Sequence, residues 1–270
     1  MATCIFCRTD TKLTKEHIWP DWLKNHVPKD MPNYLAAKTV ESFGKASEQT
    51  VRRIGGDPHS RRVKCVCGDC NNGWMSELQQ LAKPIVVPIT ERKLVTLNQK
   101  EQKIIASWSA MAVMCSEQGD PPNIAIAQDL RDILFQHHVP PKKRWRTWVA
   151  LHNRRELKTN WARHHFLLAQ DEEQTKRFER EPFYNSQSST YMVGPLLLHT
   201  ISSDVEDAVR KYRVLYALQP KVFEISPSQA AEVKLDPANS LSDEEAKTFA
   251  RDWMERHVAM FGKFMRTQGK

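Results

Sequence analysis

Apolar residues recur every three or four positions in four stretches of the chain, which is the spacing of one face of an α-helix. These stretches predict helices over 71–81, 99–115 and 126–137, and a last helix that begins near residue 242. In the first of them Trp74, Leu78 and Leu81 share the apolar face. We expect this helix to stop before Pro84, because proline removes a helical hydrogen bond and clashes with the preceding turn. The last helix should open at Ser242, where Ser-Asp-Glu-Glu has the spacing of a capping box.

Strand-like runs are concentrated in the second half of the chain. They cover residues 145–152, 161–169, 191–201 and 214–218. Trp145 and Trp148 are three positions apart, so in a regular strand they face opposite sides, and we expect only one of them to lie in a core. In the first half, the stretch 32–64 predicts a hairpin or an extended loop, and residues 63–66 alternate like a strand. Helices that flank an antiparallel sheet predict an α+β fold.

Length and composition agree with a globular protein that has a substantial core. The chain has 270 residues, of which 40% are hydrophobic and 27% charged. Pro84 and Pro88 punctuate a predicted helical connector, so we expect two domains, 1–98 and 99–270. No apolar run approaches the roughly 18 residues that a membrane-spanning helix needs. The first residues also lack the features of a signal peptide, and we therefore expect a cytoplasmic protein without a membrane partner.

Two Cys-x-x-Cys pairs lie far apart in the chain, at Cys4 and Cys7 and at Cys67 and Cys70. Each pair presents two sulfurs from one tight turn, and two such turns together complete a tetrahedral zinc site. The alternative is that one pair is simply buried or acts as a redox dithiol. Cys65 would point to the opposite face of a strand from Cys67, so it is not included in the predicted site.

Glu16 and His17 place an acid next to a titratable base, between the two Cys pairs. Histidine has a pKa near neutrality and can deprotonate water, as the hydrolysis of a phosphodiester requires. A hard divalent ion such as Mg²⁺ prefers oxygen ligands, here the Glu16 carboxylate and the Asn71 amide oxygen. The alternative role for Asn71 is the N-cap of the predicted helix over 71–81.

The net charge of +8 favours a polyanionic partner. The excess is concentrated in residues 1–98, which contain 15 Lys and Arg against 10 Asp and Glu. Five basic residues before the second Cys pair are the predicted contacts to nucleic-acid phosphates: Arg52, Arg53, Arg61, Arg62 and Lys64. The alternative for each of them is an ordinary solvated loop.

Taken together, these features resemble the HNH endonucleases of the zinc-stapled ββα-metal type. The resemblance covers about residues 1–85 and rests on Cys4, Cys7, Glu16, His17, Ile18, Pro20, Cys67, Cys70 and Asn71. It implies a hairpin and a helix that hold one catalytic ion, Mg²⁺ or Mn²⁺, and a structural Zn²⁺ on the four Cys. It also implies His17 as the general base, with Glu16 and Asn71 as ligands of the catalytic ion. Where the family has an Asn in the strand before the last pair, this chain has Arg62.

The sequence therefore predicts a metal-dependent endonuclease that hydrolyses DNA, with RNA as the alternative substrate. HNH units fused to a second domain are typical of phage-defence and mobile-element proteins, which suggests a role in antiviral defence. The C-terminal half would then recognise a target, a regulatory signal, or a partner subunit that is another protein or a second copy of the chain. The alternative from a different class is a non-catalytic zinc module that binds nucleic acid or protein. The adjacent acid and base at positions 16 and 17 favour the enzyme.

Overall fold

Helices and antiparallel sheets are mixed along the chain, so the fold is α+β, as the hydrophobic pattern predicts. The computed structural model describes residues 2–27, 33–40, 48–55, 61–153, 159–181, 183–212, 220–227, 229–246 and 249. Within these ranges, residues 33–40, 48–55, 159–161 and 178–179 are described by their backbone alone.

The N-terminal part contains three small antiparallel sheets. Short strands β1 (Ala2–Thr3) and β2 (Asp10–Thr11) pair on either side of the first Cys pair. Strand β3 (Leu13–His17) pairs with β6 (Arg62–Cys67), so the acid and the histidine lie beside the strand that leads to the second Cys pair. Between them in the chain, β4 (Asn33–Val40) and β5 (Glu48–Gly55) form a hairpin, as the stretch 32–64 predicts.

The helical segment after the second Cys pair is longer than the sequence indicates. It begins with one turn, α1 (Gly68–Cys70), widens into a π-type turn over Asn71–Met75 and becomes α2 (Ser76–Thr90). The expected stop before Pro84 is wrong, because α2 runs through both Pro84 and Pro88. Burial of one apolar face outweighs the lost hydrogen bonds. The buried residues of α2 are Leu78, Ala82, Ile85, Val86 and Ile89.

Leu81 does not belong to the apolar face that its spacing predicts. Its side chain is 51% exposed, whereas Trp74 and Leu78 are buried. Since a helical turn takes 3.6 residues, the buried face of α2 is centred on positions 78, 82, 85 and 89, and Leu81 lies at its edge.

Strand β7 (Val95–Asn98) leads directly into α3 (Gln99–Ser116), which confirms the helix predicted over 99–115. A capping box explains the sharp transition. Asn98 Oδ1 accepts a hydrogen bond from the backbone N–H of Glu101, whose carboxylate accepts one from the N–H of Asn98. Every residue from 105 to 116 is buried, so α3 is a central helix. Helix α4 (Gln128–His137) follows within the predicted 126–137.

A five-stranded antiparallel sheet forms much of the second half, with the strand order β12-β8-β11-β10-β9. Its strands are β8 (Trp145–Leu151), β9 (Thr159–Phe166), β10 (Ser186–Val193), β11 (Leu196–Ser203) and β12 (Val222–Ser226). The run 191–201 is therefore not one strand, which corrects the sequence prediction. It is the end of β10 and the start of β11, joined by a turn in which Gly194 has a φ of +55°, a conformation that favours glycine.

Both faces of this sheet are covered, which corrects the expectation for the two tryptophans of β8. Trp145 and Trp148 face opposite sides, but they are 0% and 3% exposed because each belongs to a different apolar cluster. Trp145 lies in the larger cluster, together with residues of α3. Trp148 lies in a smaller cluster with Tyr212 and Phe249.

Further elements are α5 (Glu172–Arg180), α6 (Glu206–Lys211) and β13 (Glu232–Leu235), which pairs with β7. The capping box that predicts the last helix is present: Ser242 N–H donates to the Glu245 carboxylate, and Glu245 N–H donates to Ser242 Oγ. The predicted strand 214–218 and the predicted continuation of this helix from residue 250 lie outside the described residues. No helix in the described part of the chain is long and apolar enough to cross a membrane.

The larger apolar cluster extends across residue 98, the expected boundary between two domains. The ring of Trp19 contacts that of Tyr191, with centroids 5.2 Å apart, and the ring of Trp22 stacks on that of Trp108 at 6.4 Å. Strand β7, at the boundary itself, pairs with β13 from the far part of the chain. The described side chains of residues 4–27 and 63–67 are thus packed on the later helices and strands through shared apolar contacts.

Candidate metal centre and the acid–histidine strand

The four Cys of the two pairs come together, as their spacing predicts. Their Sγ atoms all lie within 4.8 Å of one another, and those of Cys7 and Cys67 are 3.5 Å apart. Sulfurs bound to Zn²⁺ at ~2.3 Å are separated by roughly 3.8 Å in a tetrahedral site, so these four Cys can hold a metal ion such as zinc. Of the residues that the structure describes, no other group of three or more His, Cys, Asp or Glu is close enough to share an ion.

The second Cys turn directs backbone N–H groups at a sulfur of each pair. The N–H of Cys67 donates to Cys4 Sγ and the N–H of Cys70 donates to Cys67 Sγ, both at 3.3 Å. A backbone hydrogen bond of 3.1 Å from Ile5 to the carbonyl of Cys65 ties the first turn to β6. Such donors stabilise thiolates, which are the form of Cys that binds a metal.

The thiols of the cluster differ in how firmly they hold their protons. Burial acts to raise the pKa of Cys7, but hydrogen bonds with Thr9 and Cys67 outweigh it and lower the pKa to about 7. Burial raises the pKa of both Cys4 and Cys70. Cys7 therefore deprotonates most readily of these three, which makes it a suitable first ligand for an incoming ion.

Cys65 lies outside the cluster, which confirms its exclusion. Strand β6 carries one extra residue opposite the step from Thr14 to Lys15, and that residue is Cys65. The bulge leaves its side chain buried in the core at 2% exposure rather than beside Cys67.

Glu16 faces the protein interior. It is 5% exposed, and its Oε1 accepts a hydrogen bond of 3.0 Å from Nε2 of Gln79 on α2. A narrow crevice beside it is lined by Trp108, Met111 and Ala112 of α3. Burial in this apolar surrounding raises the pKa of Glu16 to about 7, against the opposing effect of the bond from Gln79. A carboxyl group that titrates near neutrality can exchange its proton for a cation.

The side chain of Asn71 is hydrogen-bonded to a residue of β3. Its Nδ2 donates a hydrogen bond of 3.1 Å to Oγ1 of Thr14, two residues before Glu16. The alternative role of Asn71 as an N-cap is wrong, because the helical segment begins three residues earlier. Cys67 is the N-cap there, and its sulfur accepts the bond from the N–H of Cys70.

His17 lies on the other face of β3 from Glu16, because successive residues of a strand alternate. The strand register pairs His17 with Arg62, and Nε of Arg62 donates a hydrogen bond of 2.7 Å to Nε2 of the ring. Since Nε2 is the acceptor, the proton of the neutral ring lies on Nδ1. Burial and the positive charge of Arg62 lower the pKa of His17.

The five predicted phosphate contacts divide by orientation. Arg62 and Lys64 are exposed on the same face of the β3–β6 sheet as His17. Arg61 is half-buried and extends to the turn at Gly119, where its guanidinium Nη2 lies 3.0 Å from the position that a Cβ on Gly119 would take. The side chains of Arg52 and Arg53, on β5, lie outside the described part of the chain.

Sequence reasoning missed three residues that contribute to this region: Thr14, Lys15 and Gln79. Thr14 and Gln79 hold the side chains of Asn71 and Glu16, and Lys15 is exposed opposite Lys64. The alternation of β3 contained the signal for Thr14 and Lys15, since each lies two positions from Glu16 or His17. Gln79 carried no comparable signal, because its role depends on how α2 packs against β3.

Comparison with models of protein families, with curated proteins and with solved structures finds no match for this chain.

Proposed function

We propose that this protein is a metal-dependent endonuclease of the HNH type, in which His17 activates water for attack on a phosphodiester bond of DNA. The observation that carries the proposal is the way β3 is bound to the helical segment after the second Cys pair. Asn71 bonds to Thr14 and Gln79 bonds to Glu16, while the Cys cluster ties the segment before β3 to the end of β6. A hairpin and a helix joined in this manner support a site for Glu16 and Asn71, and His17 is the next residue of β3, on the opposite face of the strand.

In this proposal His17 is the general base. Its Nε2 has the lone pair that accepts a proton from water, and in the free protein that lone pair is bonded to Arg62. A phosphate group competes for the guanidinium, because arginine binds phosphate through paired, charge-assisted hydrogen bonds. Substrate binding would then release Nε2 for proton transfer. The lowered pKa of His17 keeps the ring neutral, as a base must be.

Glu16 and Asn71 would hold the catalytic Mg²⁺ or Mn²⁺, an ion that offsets negative charge on the phosphate and on the leaving oxygen. Both side chains offer oxygen atoms, which suit a hard cation. Glu16 has to lose its proton and the bond from Gln79, and a pKa of about 7 makes that deprotonation accessible near neutral pH. Asn71 can keep its bond to Thr14, because that bond uses Nδ2 and leaves Oδ1 for the ion. The zinc on the four Cys would be structural.

Plasmid nicking in the presence of Mg²⁺ or Mn²⁺ tests the proposal, with wild type, His17→Ala and His137→Ala compared. His137 is an exposed histidine at the end of α4, so its variant controls for the loss of a histidine elsewhere. We expect His17→Ala to lose about 10²–10⁴-fold in metal-dependent nicking, the contribution of a general base, with zinc content preserved. His17→Ala that nicks at the wild-type rate rules out His17 as the base. A labelled RNA in the same assay decides between DNA and RNA.

A second candidate is a zinc module that binds nucleic acid without cleaving it. One observation favours it: Nε2 of His17 is bonded to Arg62, and Glu16 is buried, so neither group is ready for chemistry in the free protein. The two candidates differ in metal dependence. A binding module retains its zinc and its affinity for nucleic acid, but added Mg²⁺ or Mn²⁺ produces no nicks with any substrate.

A further inference from the structure

The solvent-facing side of the β3–β6 sheet carries three basic side chains beside one histidine. Lys15 is directly opposite Lys64, and His17 is directly opposite Arg62. Lys15, Arg62 and Lys64 are exposed, whereas the residues between them, Glu16 and Val63, face the core. The alternation of both strands therefore sorts the cations onto one face.

Two lysines that face each other across a strand pair repel, and this repulsion works against folding. In the described part of the chain, no carboxylate lies within 4.0 Å of the charged nitrogens of Lys15, Arg62 or Lys64 to offset it. Two acids of this region, Asp10 and Asp21, are already bonded to other residues. Asp10 accepts from Thr3, and Asp21 forms an ion pair of 2.5 Å with Lys24. Arg62 and His17 interact with Asp21 only through longer-range electrostatics.

The basic face continues into an open depression of the surface. Lys12 and Lys64 line this depression, together with Ala2, Asp10, Thr11 and Leu13. Lys12 is exposed and, like the other three cations, has no acid within ion-pair distance among the described residues. Four cations thus follow the surface from the depression to His17.

We propose that Lys12, Lys15, Lys64 and Arg62, which we call the cation strip, bind consecutive phosphates of a nucleic-acid backbone and lead it to His17. That the strip binds nucleic acid rests on the proposed function, since a nuclease must hold a phosphodiester beside its base. Lys15 and His17, like Lys64 and Arg62, are two residues apart on a strand, which spaces them by roughly 6.7 Å. Two positive charges at this interval, as on Lys64 and Arg62, suit a polymer with one negative charge in each repeat.

The strip makes a prediction about specificity. Lysines that contact phosphates contribute to affinity and position without reading bases. Binding through the strip should therefore depend strongly on salt and weakly on sequence. Arg61 should contribute nothing to it, because its guanidinium lies against the turn at Gly119.

The test is binding of a fluorescently labelled DNA duplex by the full chain without added divalent ion, followed by anisotropy over a range of salt concentrations. The variant Lys15→Gln/Lys64→Gln is compared with Lys100→Gln/Lys103→Gln, which removes the same charge from exposed positions on the first turns of α3. We expect the strip variant to reduce the slope of log K against log salt by about two, roughly one for each lysine, for all duplex sequences. The α3 variant should retain the wild-type slope.

A second readout comes from stability. Since Lys15 and Lys64 repel each other, the strip variant should melt at the wild-type temperature or above it in low salt, so weaker binding cannot be attributed to unfolding. If the slope of log K against log salt is equal for the two variants, the proposal that the cation strip binds DNA is wrong. Wild-type protein that binds polyglutamate or anionic vesicles as tightly as DNA overturns it as well, because the face is then a general anion surface.

The strip and the proposed function can fail separately. If the strip variant loses binding while His17→Ala still nicks DNA at the wild-type rate, the strip is correct and His17 is not the base. If His17→Ala abolishes nicking while the strip variant binds with an unchanged salt slope, the nuclease assignment is correct and the backbone follows another path.

Discussion

At the scale of single residues, the strand position of Glu16 and His17 decides their chemistry. The two are neighbours in sequence, but alternation along β3 directs Glu16 to the core and His17 to the basic face. The same alternation gives them opposite perturbations. Burial raises the pKa of Glu16 to about 7, and burial together with Arg62 lowers the pKa of His17. Both groups are therefore neutral over part of the same pH range. A neutral carboxyl group can exchange its proton for a cation, and a neutral histidine can accept a proton.

The raised pKa of Glu16 predicts how stability depends on pH. Between the ordinary value of 4.5 and about 7, the folded protein holds the Glu16 proton more tightly than the unfolded chain does. The free energy of unfolding should therefore fall as pH rises through this window, by up to about 3 kcal/mol. Glu16→Gln keeps an oxygen that accepts from Gln79 and removes the titration, so its stability should lose this pH dependence. Urea unfolding at several pH values within the window measures the effect.

Glu77→Gln is the matched control, because Glu77 is an exposed glutamate on the same helix as Gln79. It should retain the wild-type decline of stability with pH. A decline of equal size in wild type and Glu16→Gln means that the carboxyl of Glu16 is not held in its protonated form by the fold.

At the scale of elements, the two Cys turns are supported by α4 as well as by each other. Nε2 of Gln128 donates a hydrogen bond of 2.8 Å to the carbonyl of Ile5 in the first turn, and Arg8 forms an ion pair of 2.5 Å with Asp132. Trp74, which follows the second turn, contacts the ring of Phe6 with centroids 5.0 Å apart. The metal cluster is thus continuous with the core, and the loss of a ligand should propagate into the elements around it.

Two Cys→Ser variants separate the effect of losing a metal ligand from the effect of losing a buried thiol. Cys70→Ser removes a ligand, so the protein should bind less than one zinc per chain and lose much of its stability, because metal binding and folding are coupled. Cys65→Ser alters a buried Cys of the same sheet that lies outside the cluster, and it should keep the full zinc content. Metal analysis of the purified variants, together with thermal unfolding, provides the comparison. Equal zinc in both variants argues against the four-Cys site.

The two apolar residues Trp74 and Leu81 should respond differently to truncation. Trp74 is 8% exposed and contacts Phe6, Phe135 and His138, so Trp74→Ala should cost about 3–5 kcal/mol. Leu81 is 51% exposed, and Leu81→Ala should change stability by less than about 0.5 kcal/mol. Urea unfolding measures both values. A large loss for Leu81→Ala would mean that the face predicted from the i, i+4, i+7 spacing is the packed one after all.

At the scale of the whole molecule, the larger apolar cluster joins residues from both sides of position 98. Trp19 contacts Tyr191 and Trp22 stacks on Trp108, so the core side of the N-terminal sheets is completed by later parts of the chain. Pairing of β7 with β13 adds a backbone connection at the same place. Function should therefore be a property of the full chain rather than of its first third.

A fragment of residues 1–98 tests whether the N-terminal part needs the later residues in order to fold. The fragment contains all four Cys and can bind zinc, but Trp19 and Trp22 lose their partners. We expect poorly dispersed amide resonances and binding of a hydrophobic dye, because the exposed apolar surface has nothing to cover it. A fragment with a well-dispersed spectrum and no dye binding would show that the N-terminal unit folds independently, as a boundary at 98 predicts.

By itself, the sequence determined the features that depend on residues close together in the chain. Periodicity indicated the helices that became α3 and α4, and the spacing of Cys4, Cys7, Cys67 and Cys70 indicated a metal cluster, because turns and helical faces are local. Only the tertiary structure decided the rest. Packing carried α2 through Pro84, buried both tryptophans of β8, placed Arg61 against the turn at Gly119 and placed Gln79 against Glu16. These outcomes depend on surfaces supplied by residues distant in sequence, whose burial outweighs the local preferences of the chain.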